Sequence, residues 1–262
     1  MSIAEKLQTI AENEQKVFEA GKQAEKKAFW DNFFNNGKRK SFRGAFGSCF
    51  DAELLKDVPY TITPIKAYTQ DVPAFNMFYH TNRDNDSNSS KRVDISHIKF
   101  DFTKVNSYAS GATGCKLSQV FYNAGVNNVV MDLTGVTSVD MLFWYANSSK
   151  GKPNKITLKV TESLIKYSNP FYALSVENLD IRFTEDSVIV ASIAFTDNTN
   201  LIVESAINII NTLKNFAGTD KELANKLTFP VAVWNRLEAS GITPPSGSTW
   251  KDYVNLKGWA YA

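Results

Sequence analysis

The chain has 262 residues, of which 43% are hydrophobic and 21% are charged, so it can bury a sizeable core and is not of the disordered class. Its formal net charge is +2 and its basic residues are dispersed, which argues against a surface for nucleic acid. The sequence has no run of about 18 apolar residues, so we expect no segment that spans a membrane.

The N-terminus does not have the pattern of a signal peptide. Charged Glu5 and Lys6 stand where a signal peptide needs an apolar core. We therefore expect synthesis in the cytoplasm without export by the usual route. The two cysteines are too few for a disulfide framework.

A long helix is predicted from about residue 3 to about residue 34. Ser2, with Glu5 three residues later, has the spacing of a capping box, and Asn35-Asn36-Gly37 is typical of a helix end. Apolar or small residues recur at alternating steps of four and three, as in a coiled coil. These residues are Ile3, Leu7, Ile10, Val17, Ala24 and Ala28.

Two interpretations of this helix stay open, because Glu14 and Gly21 occupy the remaining positions of the heptad pattern and weaken it. In the favoured one the helix is a stalk that docks to other proteins and forms a homo-oligomer, with a trimer preferred. Its oligomerisation residues would be Ile3, Leu7, Ile10, Val17 and Ala24. In the other the helix packs on its own repeats as a cap.

A repeat follows the helix, in which a phenylalanine precedes a short β-type segment. The phenylalanines are Phe46, Phe78, Phe121, Phe143, Phe171 and Phe195, and the predicted strands are Tyr60–Ile65, Ile98–Phe102, Val129–Leu133, Ile156–Val160, Leu179–Phe183 and Leu201–Val203. The last four phenylalanines are 22, 28 and 24 residues apart, within the range of about 20–29 for leucine-rich-type repeats. We expect parallel strands with the phenylalanines in a column behind them.

The segments Asp132–Phe143 and Gly114–Phe121 resemble BspA-type leucine-rich repeats, in which an apolar strand leads through a turn to a phenylalanine. The first 31 residues and the end, Lys257–Ala262, are similar to those of repeat proteins encoded by phages and prophages of gut Firmicutes. The resemblance implies a tail-fibre or tail-tip component or a surface adhesin. Bacterial members of the wider family carry an export signal, so its absence favours a virion protein released by lysis.

The C-terminal part is predicted to cap the open end of the repeats, since an uncapped end exposes strand edges and apolar surface. It comprises a helix from Ser205 to about Phe216, a strand at Leu227–Phe229, a helix at Val231–Ala239 and a strand at Gly258–Ala262. The fold class is then an α+β repeat with three parts: residues 1–36, a long N-terminal helix; residues 37–203, an irregular leucine-rich-repeat-like solenoid of short parallel strands; and residues 204–262, an α/β cap.

The sequence contains no motif that carries catalytic chemistry. Nucleotide-binding glycine loops and a nucleophile elbow are absent, and the two histidines, His80 and His97, lack ligand-spaced partners. Asp84–Asn88 is similar to half of a calcium loop but lacks the glycine and the glutamate that complete one. We expect no enzymatic activity, no cofactor and no metal.

One candidate site is a row of aromatic residues, because the residue after the repeat phenylalanine is aromatic four times: Tyr79, Tyr122, Trp144 and Tyr172. The row would either pack between the repeats or form an outer face that stacks on sugar rings. The favoured function is a phage tail-fibre or baseplate-associated protein that recognises a host-surface glycan or protein. Alternatives are a capsid-attached head fibre, a bacterial adhesin and, as the weakest, a glycan-cleaving enzyme.

Overall fold

The computed structural model describes residues 3–33, 61–62, 93–100, 115–121, 126–143, 155–172, 174 and 176–262. Within them the protein is α+β, with four helices and short parallel strands. The helices are α1 (Ile3–Phe33), α2 (Val203–Thr212), α3 (Val231–Ala239) and α4 (Trp250–Leu256). The prediction of a long N-terminal helix is confirmed; its predicted start and stop signals lie outside the described residues.

Twelve strands lie in the described part of the chain. They are β1 (Thr61–Ile62), β2 (Val93–Asp94), β3 (Lys99–Phe100), β4 (Cys115–Ser118), β5 (Val126–Asp132), β6 (Val136–Asp140), β7 (Lys155–Lys159), β8 (Lys166–Ser168), β9 (Asp180–Phe183), β10 (Ile193–Ala194), β11 (Lys226–Thr228) and β12 (Ala260–Tyr261). Every pair among them is parallel, in the orders β1-β3, β2-β5-β7-β9, β4-β6-β8 and β10-β11-β12. The parallel arrangement expected for β5, β7 and β9 is therefore confirmed.

The strands form two main ladders where the sequence predicted one strand per repeat. Strands β4, β6 and β8 make a second ladder, in which Leu117, Val139 and Tyr167 lie side by side and face inward. The prediction missed β6 because Val136 and Val139, its buried residues, are three apart and do not alternate with polar ones. The inward residues of both ladders belong to one hydrophobic core.

The phenylalanines of the repeat form a continuous buried column, as predicted. Ring centroids are 5.0 Å apart for Phe121 and Phe143, 5.8 Å for Phe143 and Phe171, and 5.2 Å for Phe171 and Phe195, with planes within 11° of parallel. Phe229, which was not assigned to the repeat, continues the column at 5.4 Å with a tilt of 52°. Phe46 and Phe78 lie outside the described residues.

The same backbone turn brings three of these rings into the column. Two residues before the ring, Gln119, Met141 and Asn169 have φ values of 51°, 44° and 45°. A left-handed residue reverses the local direction of the chain. After it the backbone N–H of Phe143 donates to the carbonyl of Pro170 at 3.0 Å, so this turn is tied to the equivalent turn before Phe171.

The C-terminal elements agree with the prediction in order but not in every boundary. Helix α3 and strands β11 and β12 lie where expected. The strand predicted at Leu201–Val203 is wrong, because Leu201 makes a single bridge to Leu179 and Val203 already begins α2. Helix α2 ends at Thr212, not near Phe216, because Leu213 is extended and the next N–H donates to Ile189.

Helix α2 closes the open edge of β9 with two polar side chains. The Ser205 Oγ accepts from the N–H of Ile181 at 3.0 Å. The Asn208 side chain accepts from the N–H of Phe183 at 2.7 Å and donates to its carbonyl at 3.0 Å. Ser205 and Asn208 are three residues apart and lie on one face of the helix. Their side chains supply the hydrogen bonds that a neighbouring strand would otherwise make.

Replacing Asn208 by alanine should lower the free energy of unfolding by about 2 kcal/mol, because the N–H and C=O of Phe183 lose their partners at a partly buried edge. Urea unfolding followed by circular dichroism measures the change. The control is Asn211→Ala in the same helix, where the side chain is exposed and the expected change is within about 0.5 kcal/mol. Equal effects of the two variants would contradict the capping role.

Candidate recognition surfaces

The structure places one of the four residues of the predicted aromatic row. Tyr172 is 37% exposed, whereas its neighbour Phe171 is fully buried in the column. The side chains of these two residues therefore point to opposite sides of the chain, as the outer-face interpretation requires. Tyr79, Tyr122 and Trp144 lie outside the described residues.

The outer face of the β5-β7-β9 ladder is a second candidate surface. In β7, Ile156 and Leu158 are buried and the intervening Lys155, Thr157 and Lys159 point outward. The in-register pairing of β5, β7 and β9 aligns outward residues of successive strands across the ladder. Side chains held at such regular spacing form a rigid face on which a ligand can bind with little loss of entropy.

Opposite charges neutralise one another along this face. Lys159 lies in register with Asp132 on β5 and forms an ion pair with Asp186 at 2.6 Å. The hydrogen bond to Asp186, with the charges of both aspartates, raises the pKa of Lys159. The pKa of Asp186 is lowered by its hydrogen bonds from Lys159 and Thr184. The result is alternating charge, which suits an uncharged polar ligand better than a polyanion.

A further pair lies at the end of the ladder. The Asp180 carboxylate accepts from Nε of Arg182 and from Oγ of Ser205, the latter at 2.7 Å. The hydroxyl of Ser205 thus links the outer face to helix α2. Sequence reasoning missed this role because Ser205 and Asn208 stand among apolar residues, and only the apolar spacing was used to predict the helix.

Helix α1 is the third candidate surface. Between residues 8 and 25 every side chain is exposed, including Ile10 (54%), Val17 (73%) and Ala24 of the predicted oligomerisation set. Phe18, which the sequence analysis did not include, is also exposed and adjoins Val17. Nothing is described of the side chains of Ile3 and Leu7, although both lie within the helix.

A lysine in the C-terminal part of the chain has a strongly perturbed pKa. Lys257 is nearly buried, and its Nζ donates to the carbonyls of Ile210 and Asn211, both at 2.9 Å, at the C-terminal end of α2. Burial lowers its pKa to about 8. A perturbed amine often marks a reactive site. Here its partners are the last carbonyls of a helix, which need donors from outside the helix, so its role is to cap α2.

Lys257 should make stability depend on pH. Below about pH 8 the amine is protonated in both the folded and the unfolded chain. Between about pH 8 and 10.5 the unfolded chain keeps the proton while the folded chain loses it, so the free energy of unfolding increases as pH rises. The difference in unfolding free energy between wild type and Lys257→Met should therefore rise by up to about 3 kcal/mol across this window. Urea titrations at several pH values test it; a difference that stays constant with pH would contradict the lowered pKa.

In the described ranges no group of three or more His, Cys, Asp or Glu side chains is arranged to hold a metal ion, and His97 is exposed. None of the helices that the structure describes is long and apolar enough to cross a membrane.

Comparison with known proteins identifies no relative. No protein-family model, no curated protein and no solved structure matches the chain.

Proposed function

We propose that the chain is a non-enzymatic bacteriophage virion protein, a tail-fibre or baseplate-associated component that recognises a host-surface glycan or protein. The observation that supports it best is the stacked Phe121–Phe195 column beneath regular parallel ladders. Such a stack builds a stiff body whose outer residues are fixed in space. A binding protein needs that rigidity, and the resemblance to phage-encoded BspA-type repeat proteins gives the setting.

The body itself is proposed to be a leucine-rich-type solenoid. Successive repeats place equivalent residues in register in both ladders, for instance Val129, Ile156 and Ile181. Three of the repeats also reuse the left-handed turn two residues before the phenylalanine, at Gln119, Met141 and Asn169. Such units bury their apolar faces only against neighbouring units, which is the physical basis of repeat proteins.

Helix α1 is proposed to dock the protein to other virion components and to join copies of the chain. Its exposed Ile10, Val17 and Phe18 support a stalk over a cap on the chain's own repeats, because a packed cap would bury them. Exposed apolar stripes of this length mark interaction sites.

The ligand-binding surface is proposed to be the aromatic row, and the outer face of the β5-β7-β9 ladder is proposed as a second contact surface. Tyr172 presents an exposed ring, and the pairs Lys159–Asp186 and Arg182–Asp180 supply fixed donors and acceptors. Aromatic rings stack on the apolar faces of sugars while polar neighbours bind their hydroxyl groups. A glycan therefore fits this surface best.

The test is a glycan array and a host-cell binding assay with wild type, Tyr172→Ala and Trp144→Ala. Both variants should lose at least ten-fold in binding. Tyr261→Ala is the matched control, since Tyr261 is equally exposed but lies in the cap at β12, and it should bind like wild type. Binding unchanged by either row variant would remove the aromatic row from the proposal.

Mass spectrometry of purified particles tests the virion assignment. We expect the chain in the particle, at the tail. A location on the capsid would favour a head fibre, and presence only on the bacterial surface would favour an adhesin. Release of sugar fragments from host polysaccharide would contradict the non-enzymatic assignment.

A further inference from the structure

The heptad positions of α1 differ in size between the two halves of the helix. We define the seam as Ile3, Leu7, Ile10, Glu14, Val17, Gly21, Ala24 and Ala28. Its first three members are bulky and its last three are small, so the stripe tapers along a helix of 31 residues. Among the described side chains, the bulky Ile10 and Val17 are exposed, and Gly21 has nothing within 4 Å of where a Cβ would stand.

We propose that α1 pairs with α1 of a second copy in antiparallel orientation, about a two-fold axis between residues 15 and 16. This inference rests on the oligomerisation part of the proposed function and specifies the partner and the geometry. It replaces the trimer expected from the heptad pattern alone. The occupant of the exposed stripe is thus an identical chain.

Size complementarity is the first argument for the antiparallel pair. About this axis Ile10 faces Gly21 of the second copy. The same alignment continues in the sequence, with Leu7 opposite Ala24 and Ile3 opposite Ala28. Each layer then joins one bulky and one small residue, so the two helices can stay at one distance along their length. A parallel pair would place bulky beside bulky at one end and glycine beside glycine further on.

Charge is the second argument. In a parallel pair or trimer Glu14 would meet the same carboxylate of each neighbouring chain within the seam, which is unfavourable. In the antiparallel pair Glu14 lies opposite Val17 and the two carboxylates are on opposite sides of the axis. The exposed ring of Phe18 then lies over Ala11 of the second copy, beside the seam, and covers it.

The variant Gly21→Leu separates the two orientations in the full chain. Its chain neighbours and the helix's own backbone aside, no atom of the described residues lies within 4 Å of where the new side chain would begin, so the fold should be kept. In the antiparallel pair the leucine would clash with Ile10 of the second copy, so the dissociation constant should rise at least ten-fold. In a parallel assembly the leucine would fill a gap, so the dissociation constant should fall. Adding Ile10→Ala restores the size match and should recover dimerisation. Glu12→Leu, on the side away from the seam, is the control and should leave the dissociation constant unchanged.

Sedimentation equilibrium and native mass spectrometry of the full-length protein measure these constants. We expect a dimer for wild type and for the double variant. A trimer, a monomer at every concentration reached, or tighter association of Gly21→Leu would each overturn the antiparallel pair. A dimer that binds no host surface would support the antiparallel pair and contradict the recognition function. A monomer that binds a host surface would contradict the antiparallel pair and support the recognition function.

Discussion

Replacing Phe171 by alanine is expected to lower the free energy of unfolding by about 4 kcal/mol, because the ring is fully buried in the middle of the phenylalanine column. Its centroid lies 5.8 Å from that of Phe143 and 5.2 Å from that of Phe195, so one deletion removes two stacking contacts. The column is continuous, and the rings on either side cannot close the gap without moving the strands that carry them. The cavity would therefore persist.

Urea unfolding of the variant gives the value directly. Phe171→Leu keeps most of the side-chain volume, so it should lower the free energy of unfolding by about half as much as Phe171→Ala. Tyr172→Ala is the neighbouring control: its side chain is partly exposed and its loss should change stability by less than about 1 kcal/mol. A loss below about 1 kcal/mol for Phe171→Ala would show that the column is not the core of the body.

Replacing Gly258 by alanine is also expected to lower the free energy of unfolding by about 4 kcal/mol, but for a different reason. The φ of Gly258 is +75°, and an added Cβ would stand 2.6 Å from the backbone nitrogen of Ala217 and 2.6 Å from the backbone carbon of Phe216. Backbone atoms cannot rotate away as a side chain can. The clash would push the chain after α4 away from the segment after α2, disturbing Lys257 and Trp259 on either side.

Gly241→Ala separates the clash from the backbone conformation. Its φ is +71°, almost the same, but among the described residues, its chain neighbours aside, no atom lies within 4 Å of an added Cβ. This control should lower the free energy of unfolding by only about 1 kcal/mol, the penalty for placing a side chain in the left-handed backbone conformation. Thermal and urea unfolding of the two variants, compared side by side, measure the difference, and equal losses would mean that the close approach at Gly258 is not needed for the fold.

The sequence predicts best those elements whose periodicity is strict. Helix α3 has the predicted bounds, and β7 and β9 were found because buried and outward residues alternate along them. Strand β6 was missed for lack of such alternation. Helix α4 was missed although Thr249 and Asp252 form a capping box, because no apolar run follows them that is long enough to show a period.

Contacts between distant parts of the chain could not be predicted in this way. Helix α2 ends early because the backbone N–H of Lys214 donates to the carbonyl of Ile189, a bond set by a segment distant in sequence and not by local propensity. The capping roles of Asn208 and Lys257 depend on carbonyls that lie 25 and 47 residues away. For the candidate site, the sequence left open whether the aromatic row packs between the repeats or faces outward, and the exposure of Tyr172 had to come from the structure. The pairing of charges on the outer face likewise required the register of the strands.

The closure of β9 by α2 has a consequence for how the protein can assemble. A bare strand edge would act as a template on which another copy could add its own strand and seed a fibre. The side chain of Asn208 already holds the N–H and the C=O of Phe183, and Ser205 holds the N–H of Ile181. Strand addition at this edge is therefore blocked, so a second copy would have to associate at another surface, such as the exposed helix α1 that we propose.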